Sequence, residues 1–216
     1  PAIAAIAAGN SVTIKPSELT PNTSALIEKI FSNLFEKSHV EVIQGGIETS
    51  QALLAKRWDY IFFTGSVNVG KIVAKAAANN LTPVTLELGG KAANIIFDDA
   101  PLDQAVEGVI NGIFFNQGHV CCAGSRLFVQ ESVFDEVIRK IKDRLESLIV
   151  GNPLDKNTDI GAINSRAQLD TIHKYIKIGI NEGGEMFESS CALPSKGFFC
   201  RPTIFTNVSQ SSRISQ

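Results

Sequence analysis

Tyr60-Ile61-Phe62-Phe63-Thr64-Gly65-Ser66-Val67-Asn68-Val69-Gly70 is the stretch that decides the fold. Tyr60 to Phe63 is an aromatic and β-branched run that suits a strand, and Thr64-Gly65-Ser66 breaks it. A helix is expected next, from about Val69 to Ala78. Strand, turn and helix in that order are half of a β-α-β unit, whose ligand-facing loops lie beyond the carboxyl ends of parallel strands.

The same alternation extends to both sides. Upstream, Val12-Thr13-Ile14 reads as a strand ending at Lys15-Pro16, and Asn22-Thr23-Ser24 can cap a helix carrying Ala25, Ile27, Ile30, Phe31, Leu34 and Phe35. Val40 to Ile43 is strand-like up to Gly45-Gly46, and Gln51 to Lys56 is a short helix. Downstream, strands are expected at Val84 to Leu88, Asn94 to Phe97 and Leu127 to Gln130, with a helix over Leu102 to Phe115. Phe134, Ile138, Ile141, Leu145 and Leu148 mark the buried face of an amphipathic helix. Leu169 to Asn181 is a further helix, stopped by Gly183-Gly184. Glu188 to Lys196 reads as a polar loop before Pro202-Thr203-Ile204-Phe205. Gly89-Gly90 is the natural hinge. The fold class is therefore α/β: a Rossmann-like parallel-sheet lobe over 1–88, then an α/β lobe over 89–216.

Composition narrows the function. The 216 residues carry 20 Lys+Arg against 22 Asp+Glu, a net charge of −2, with 44% hydrophobic residues. A chain of this length buries roughly 70% of its unfolded surface, enough for a core without staples. Near-neutral charge argues against nucleic acid or a polybasic membrane surface as partner. The most apolar stretch, Pro1 to Ala8, stops at Gly9-Asn10 and is too short to span a bilayer. It also lacks the charged leader of a signal peptide. Cys121, Cys122, Cys191 and Cys200 are too sparse for a disulfide framework, so free thiols in a reducing compartment, the cytoplasm, are expected.

Several residues stand where chemistry is possible. Lys15 and Glu18 follow the first strand, where an ammonium and a carboxylate three positions apart can bond ribose hydroxyls or form a solvated loop. Gly65 to Gly70 is not G-x-G-x-x-G, so a phosphate site and a plain strand-helix turn stay equally open there, as they do at Gly45-Gly46. Glu87 lies among apolar residues in Val84-Thr85-Leu86-Glu87-Leu88-Gly89-Gly90. A carboxylate buried there would be a candidate general base, while one at the strand edge would face solvent. Cys121 sits beside His119 and near Arg126 in a small-residue connector, where cations favour the thiolate. An inert buried cysteine is the competing reading. A metal site is not expected, because adjacent cysteines rarely share one ion and no C-x-x-C is present.

The combination resolves these alternatives. Leu86-Glu87-Leu88-Gly89-Gly90-Lys91 followed by Gly118-His119-Val120-Cys121 closely resembles the glutamate and cysteine signatures of the NAD(P)-dependent aldehyde dehydrogenase superfamily. Ala7-Ala8-Gly9-Asn10, Lys15-Pro16-Ser17-Glu18, Phe63-Thr64-Gly65-Ser66 with Gly70-Lys71, and Gly197-Phe198-Phe199 with Arg201-Pro202-Thr203 resemble the same family in the expected order. The resemblance implies Cys121 as nucleophile and Glu87 as general base. It implies Lys15 and Glu18 on the adenosine ribose, Ser66 with its helix at the pyrophosphate, and Gly45, Gly65 and Leu88 lining the cofactor. The implied cofactor is NAD, with NADP possible, and the implied reaction oxidises an aldehyde to a carboxylic acid through a cysteine thiohemiacetal and thioester. A homo-oligomer is implied for the complete protein.

The resemblance also brings departures. His119 stands where the family usually has Gln or Glu. Pro1 to Lys91 looks like the class 3 branch, whereas Asn111 to Arg126 and the C-terminal third look like the long-chain tetrameric branches. The oxyanion-hole asparagine, the Glu-Glu-Ile-Phe-Gly-Pro segment and the oligomerisation segment find no match here. The expectation is an internal fragment with little activity on its own. A cysteine esterase or acyltransferase using Cys121 with His119 or Glu87, and a non-catalytic assembly role, are the alternatives.

Overall fold

Three helices end on the same backbone device, and it sets much of the layout. In the computed structural model, which describes residues 1–216, Asn10 N–H bonds to Ala5 O while Gly9 N–H bonds to Ile6 O. The pairs Thr82 to Ala77 with Leu81 to Ala78, and Gly184 to Gly179 with Gly183 to Ile180, repeat it. These are Schellman caps, whose penultimate residue must be left-handed. Gly9 and Gly183 take φ of +80° and +87° freely, but the third position is filled by Leu81 at φ +53°.

The chain divides into two compact units, Pro1–Leu88 and Gly89–Gln216. Unit 1 runs α1 (Ala2–Ala7), β1 (Val12–Ile14), α2 (Pro21–Leu34), β2 (Val40–Val42), α3 (Ile47–Leu54), β3 (Ile61–Gly65), α4 (Val67–Ala78) and β4 (Val84–Leu88). The strands form two parallel pairs, Val12 opposite Val40 and Ile61 opposite Val84, each joined by a crossover helix. Val40, Val73 and Ala77 are its buried apolar residues. The run read only as apolar at the start of the chain is helix α1. Helix α2 begins at Pro21 after Thr20, one turn before the cap expected at Asn22 to Ser24. Proline suits that first position, because its fixed φ is helical and its missing N–H is not needed there. Ser24 then serves the turn before the helix, donating from Oγ to Ser17 O at 2.8 Å.

Unit 2 runs β5 (Ala93–Ile96), α5 (Leu102–Phe114), a 3-10 turn (Phe115–Gly118), β6 (Arg126–Val129), a second 3-10 turn (Glu131–Val133), α6 (Phe134–Glu146), α7 (Arg166–Asn181), β7 (Glu185–Glu188) and β8 (Thr203–Thr206). Strands β5 and β6 are parallel, with Ala93 opposite Arg126. Helices α5 and α6 pack with a ladder of ion pairs, Lys140 to Asp103 at 2.6 Å and Arg144 to Glu107 at 2.8 Å. Both pairs share one sequence offset, as parallel helices require. Ile96, Val106, Ile110, Val137, Ile141 and Leu145 make the core between them.

Two expectations shift. The seam of α6 is centred on Val137, fully buried, while Phe134 remains 36% exposed. Val137, Ile141, Leu145 and Leu148 follow the helical period as well as the expected set does, so period alone cannot pick the stripe. Strand β7 was unmarked, since Glu185 and Glu188 are poor strand formers. It is held instead by antiparallel pairing with β8, Glu185 opposite Thr206. No helix is long and apolar enough to cross a membrane.

Candidate active site

In unit 1 every proposed cofactor residue lies at or just past the carboxyl end of a parallel strand. Lys15 and Glu18 follow β1, Gly45 follows β2, Gly65 and Ser66 end β3, and Leu88 ends β4. Lys15 Nζ bonds to Glu18 Oε2 at 3.0 Å and to Pro16 O at 3.0 Å. The backbone hydrogen bond at Glu18, and then the Lys15 ammonium, hold the Glu18 carboxyl below the ordinary carboxylate range. The pair therefore offers one cation and one ionised acceptor side by side.

Ser66 caps α4, accepting the Val69 N–H on Oγ at 3.3 Å. The amides of Val67 and Asn68 donate to no protein acceptor, leaving two donors at the positive end of the helix. Gly65 pairs with Leu88 in the β3–β4 register, and a β-carbon on Gly70 would meet the Leu88 side chain at 2.7 Å. The structure thus brings Gly65, Ser66 and Leu88 into one corner. Gly45 has φ +148°, and a β-carbon there would strike Thr49 Oγ1 at 2.0 Å, so the chain can pass only as glycine.

Of the two placements open for Glu87, the structure shows the solvent-facing one. Glu87 is the one exposed residue of β4, opposite the exposed Thr64 of the alternating strand β3, while Leu86 and Leu88 are half-buried. Apolar sequence neighbours on a two-faced strand do not imply burial of the residue between them.

In unit 2 the connector from α5 to β6 is tightly held. Asn116, Gln117 and Gly118 are consecutive left-handed residues, with φ of +48°, +55° and +76°. Two non-glycine residues in that region carry strain that surrounding contacts must offset. Asn116 Nδ2 donates to His119 O at 3.2 Å. The Gln117 side-chain amide, oriented by its hydrogen-bond network, accepts from Gly161 N–H at 3.0 Å. Asn94 Nδ2 donates to Gly124 O at 3.1 Å, and Gly124 N–H donates to Gly112 O at 3.0 Å.

Between these anchors Val120 to Ala123 forms a turn closed by Ala123 N–H on Val120 O at 3.1 Å, with Cys121 and Cys122 at its exposed corners. Neither cysteine amide donates to a protein acceptor, so the Cys121 N–H is available beside its own sulfur. The cations expected near it are engaged elsewhere. Arg126 Nε donates to Lys91 O at 2.8 Å, and His119 Nδ1 lies 3.2 Å from Asn116 O. His119 Nε2 is buried and unpartnered, and no hydrogen bond joins the ring to Cys121. Asn94, Gln117 and Gly161 had no role in the sequence reading, and Lys91 entered only as the end of the glutamate signature. Of this framework Gly118 was marked only as the first residue of the cysteine signature.

A sequence model of the aldehyde dehydrogenase family matches residues 1–216. The chain belongs to the aldehyde dehydrogenase family. Among solved structures, this aldehyde dehydrogenase chain is similar to an NAD-dependent aldehyde dehydrogenase from Sinorhizobium meliloti, with 33% identity and TM-score 0.88 over 95% of this chain and 42% of that one. A betaine aldehyde dehydrogenase from Staphylococcus aureus, solved in complex with NAD+, shares 36% identity with TM-score 0.88 over 95% and 42% of the two chains. A substrate-bound Staphylococcus aureus AldH shares 37% identity with TM-score 0.86 over 100% and 46%. The chain spans less than half the length of these structures.

Proposed function

We propose that the protein oxidises an aldehyde to a carboxylic acid with NAD, using Cys121 as nucleophile and Glu87 as general base. The observation that supports this best is the Cys121 turn: an exposed sulfur next to its own undonated amide, on a loop held from several sides. The Cys121 sulfur adds to the aldehyde carbonyl carbon, and the Cys121 N–H donates to the oxygen as it becomes negative. Loss of the carbon-bound hydrogen as hydride, which a bound nicotinamide would accept, leaves a thioester on Cys121. Glu87 takes a proton from the water that hydrolyses it, which frees the acid and restores the thiol.

Unit 1 is the cofactor lobe in this reading and unit 2 the catalytic lobe. The residues fit a dinucleotide: Lys15 and Glu18 offer a donor and an acceptor for ribose hydroxyls, and the α4 amides offer donors for a phosphate. Gly45, Gly65 and Leu88 form the adjoining backbone. A bound nicotinamide supplies the hydride acceptor. Ionised Glu18 repels a 2′-phosphate, which favours NAD over NADP. The complete enzyme is proposed to be a cytoplasmic homo-oligomer.

The test is NADH formation by the full-length gene product with short, long-chain and aromatic aldehydes, beside Cys121→Ala and Glu87→Gln. Expected are abolished turnover in the first, and in the second a burst of NADH followed by slow turnover as thioester accumulates. Nicotinamide-independent ester hydrolysis with no aldehyde oxidation would overturn the reading in favour of acyl transfer.

A further inference from the structure

Two cysteines outside the Cys121 turn lie on the two arms of a hairpin, just past its paired strands. Strands β7 and β8 pair antiparallel from Glu185 opposite Thr206 to Glu188 opposite Thr203. One more rung follows, with Ser189 N–H donating to Pro202 O at 3.0 Å. Each step outward advances one arm as the other retreats, and this register, carried two positions past the last bonded rung, puts Cys191 and Cys200 opposite each other. Directly opposed residues of an antiparallel pair point to one face, with Cα atoms about 4.5–5.5 Å apart. That span lies inside the roughly 4.4–6.8 Å a disulfide bridges.

Both arms are anchored at this level. Arg201 Nε reaches across to Cys191 O at 2.9 Å, and the Cys191 N–H donates to Oγ of the buried Ser189 at 3.2 Å. Both thiols are free and half-buried. Cys200 lines a cavity of about 780 Å³ with Arg201, Tyr175 and Phe205. No third metal-binding side chain joins them. The pair therefore has the arrangement of a dithiol and lacks that of a metal site.

We propose that Cys191 and Cys200 are a redox pair that closes to an intrachain disulfide under hydrogen peroxide, independently of the Cys121 chemistry. One thiolate attacks peroxide, forming a sulfenic acid and releasing hydroxide. The second thiol attacks that sulfur, the S–S bond forms, and the sulfenic oxygen leaves as water. In total two thiols lose two electrons and two protons, and one peroxide becomes two waters. Burial, and then the Glu188 carboxylate, push the Cys200 thiol up, so closure accelerates with rising pH. The bond ties the loop from Cys191 to Cys200 and removes a thiol from the cavity wall.

Lys196 lies between the two cysteines, so trypsin puts them in separate peptides. The folded chain is treated with peroxide, alkylated in denaturant, digested without reductant and read by mass spectrometry. The expected result is a linked pair of peptides carrying Cys191 and Cys200, loss of alkylation at both, and separation by dithiothreitol. In Cys200→Ser, Cys191 should remain alkylated. Separate alkylation of the two in the oxidised wild type, or linkage of either to Cys121, Cys122 or another chain, would overturn the proposal. The wild-type result decides even if the variant fails to fold.

Discussion

The Asn94 carboxamide occupies the space a β-carbon on Gly124 would need. That carbon would lie 2.1 Å from Asn94 Nδ2, which instead donates to the Gly124 carbonyl at 3.1 Å. The contact pins the exit of the Cys121 turn to β5. Gly124→Ala should cost about 1–3 kcal/mol in unit 2, as overpacking does, and should alter the alkylation rate of Cys121. Chemical denaturation and a timed iodoacetamide reaction measure the two effects.

Leu81 fills a left-handed Schellman position and is 89% exposed, so it gains almost no burial in return. Leu81→Gly should stabilise the fold by about 1 kcal/mol, the cost of a left-handed side chain less the entropy of an added glycine. Gly183→Leu at the equivalent position of α7 should destabilise by a similar amount. Thermal or urea unfolding of the two variants should move in opposite directions.

Ser66→Ala should remove the only side-chain cap of α4 and cost about 1 kcal/mol, whereas Ser66→Gly should cost a few tenths. Amide hydrogen exchange at Val69 reports the loss directly.

The Glu18 carboxyl should titrate below its ordinary value of 4.5. A depressed carboxyl contributes stability that is present above 4.5 and disappears as pH falls through the folded value. Lys15→Met should recover only part of the shift, because the backbone hydrogen bond is the larger cause. Carbon-detected NMR titration of the two proteins tests this. An unchanged midpoint in the variant would remove Lys15 from the account.

The parallel crossovers were legible because apolar runs alternate with helical periods and several breaks carry glycine or proline, as at Lys15-Pro16, Gly45-Gly46 and Gly65-Ser66. Gly65-Ser66 and Gly183-Gly184 announced turns that the structure contains. Strand β7 was not legible, since its pairing with β8 depends on a partner far along the chain. The same limit hid Asn94 and Gly161, whose roles exist only through Gly124 and Gln117. Glu87 is a local case of the same limit, since its apolar neighbours in sequence do not say which face of the strand it takes.

Lys91 joins segments that synthesis delivers at very different times. Its carbonyl receives Arg126, while its ammonium, pushed down chiefly by burial, donates to Ile214 O at 2.8 Å across 123 positions of chain. Unit 1 closes its parallel pairs over far shorter separations, with Val12 to Val40 and Ile61 to Val84 in register. On a ribosome, these two strand pairs can therefore close as soon as β2 and β4 emerge. In unit 2 the β5–β6 pair can form once Val129 has been made, but the Lys91 ammonium has no carbonyl to receive it until Ile214 follows, and that interval is when chaperone capture or aggregation would compete with folding.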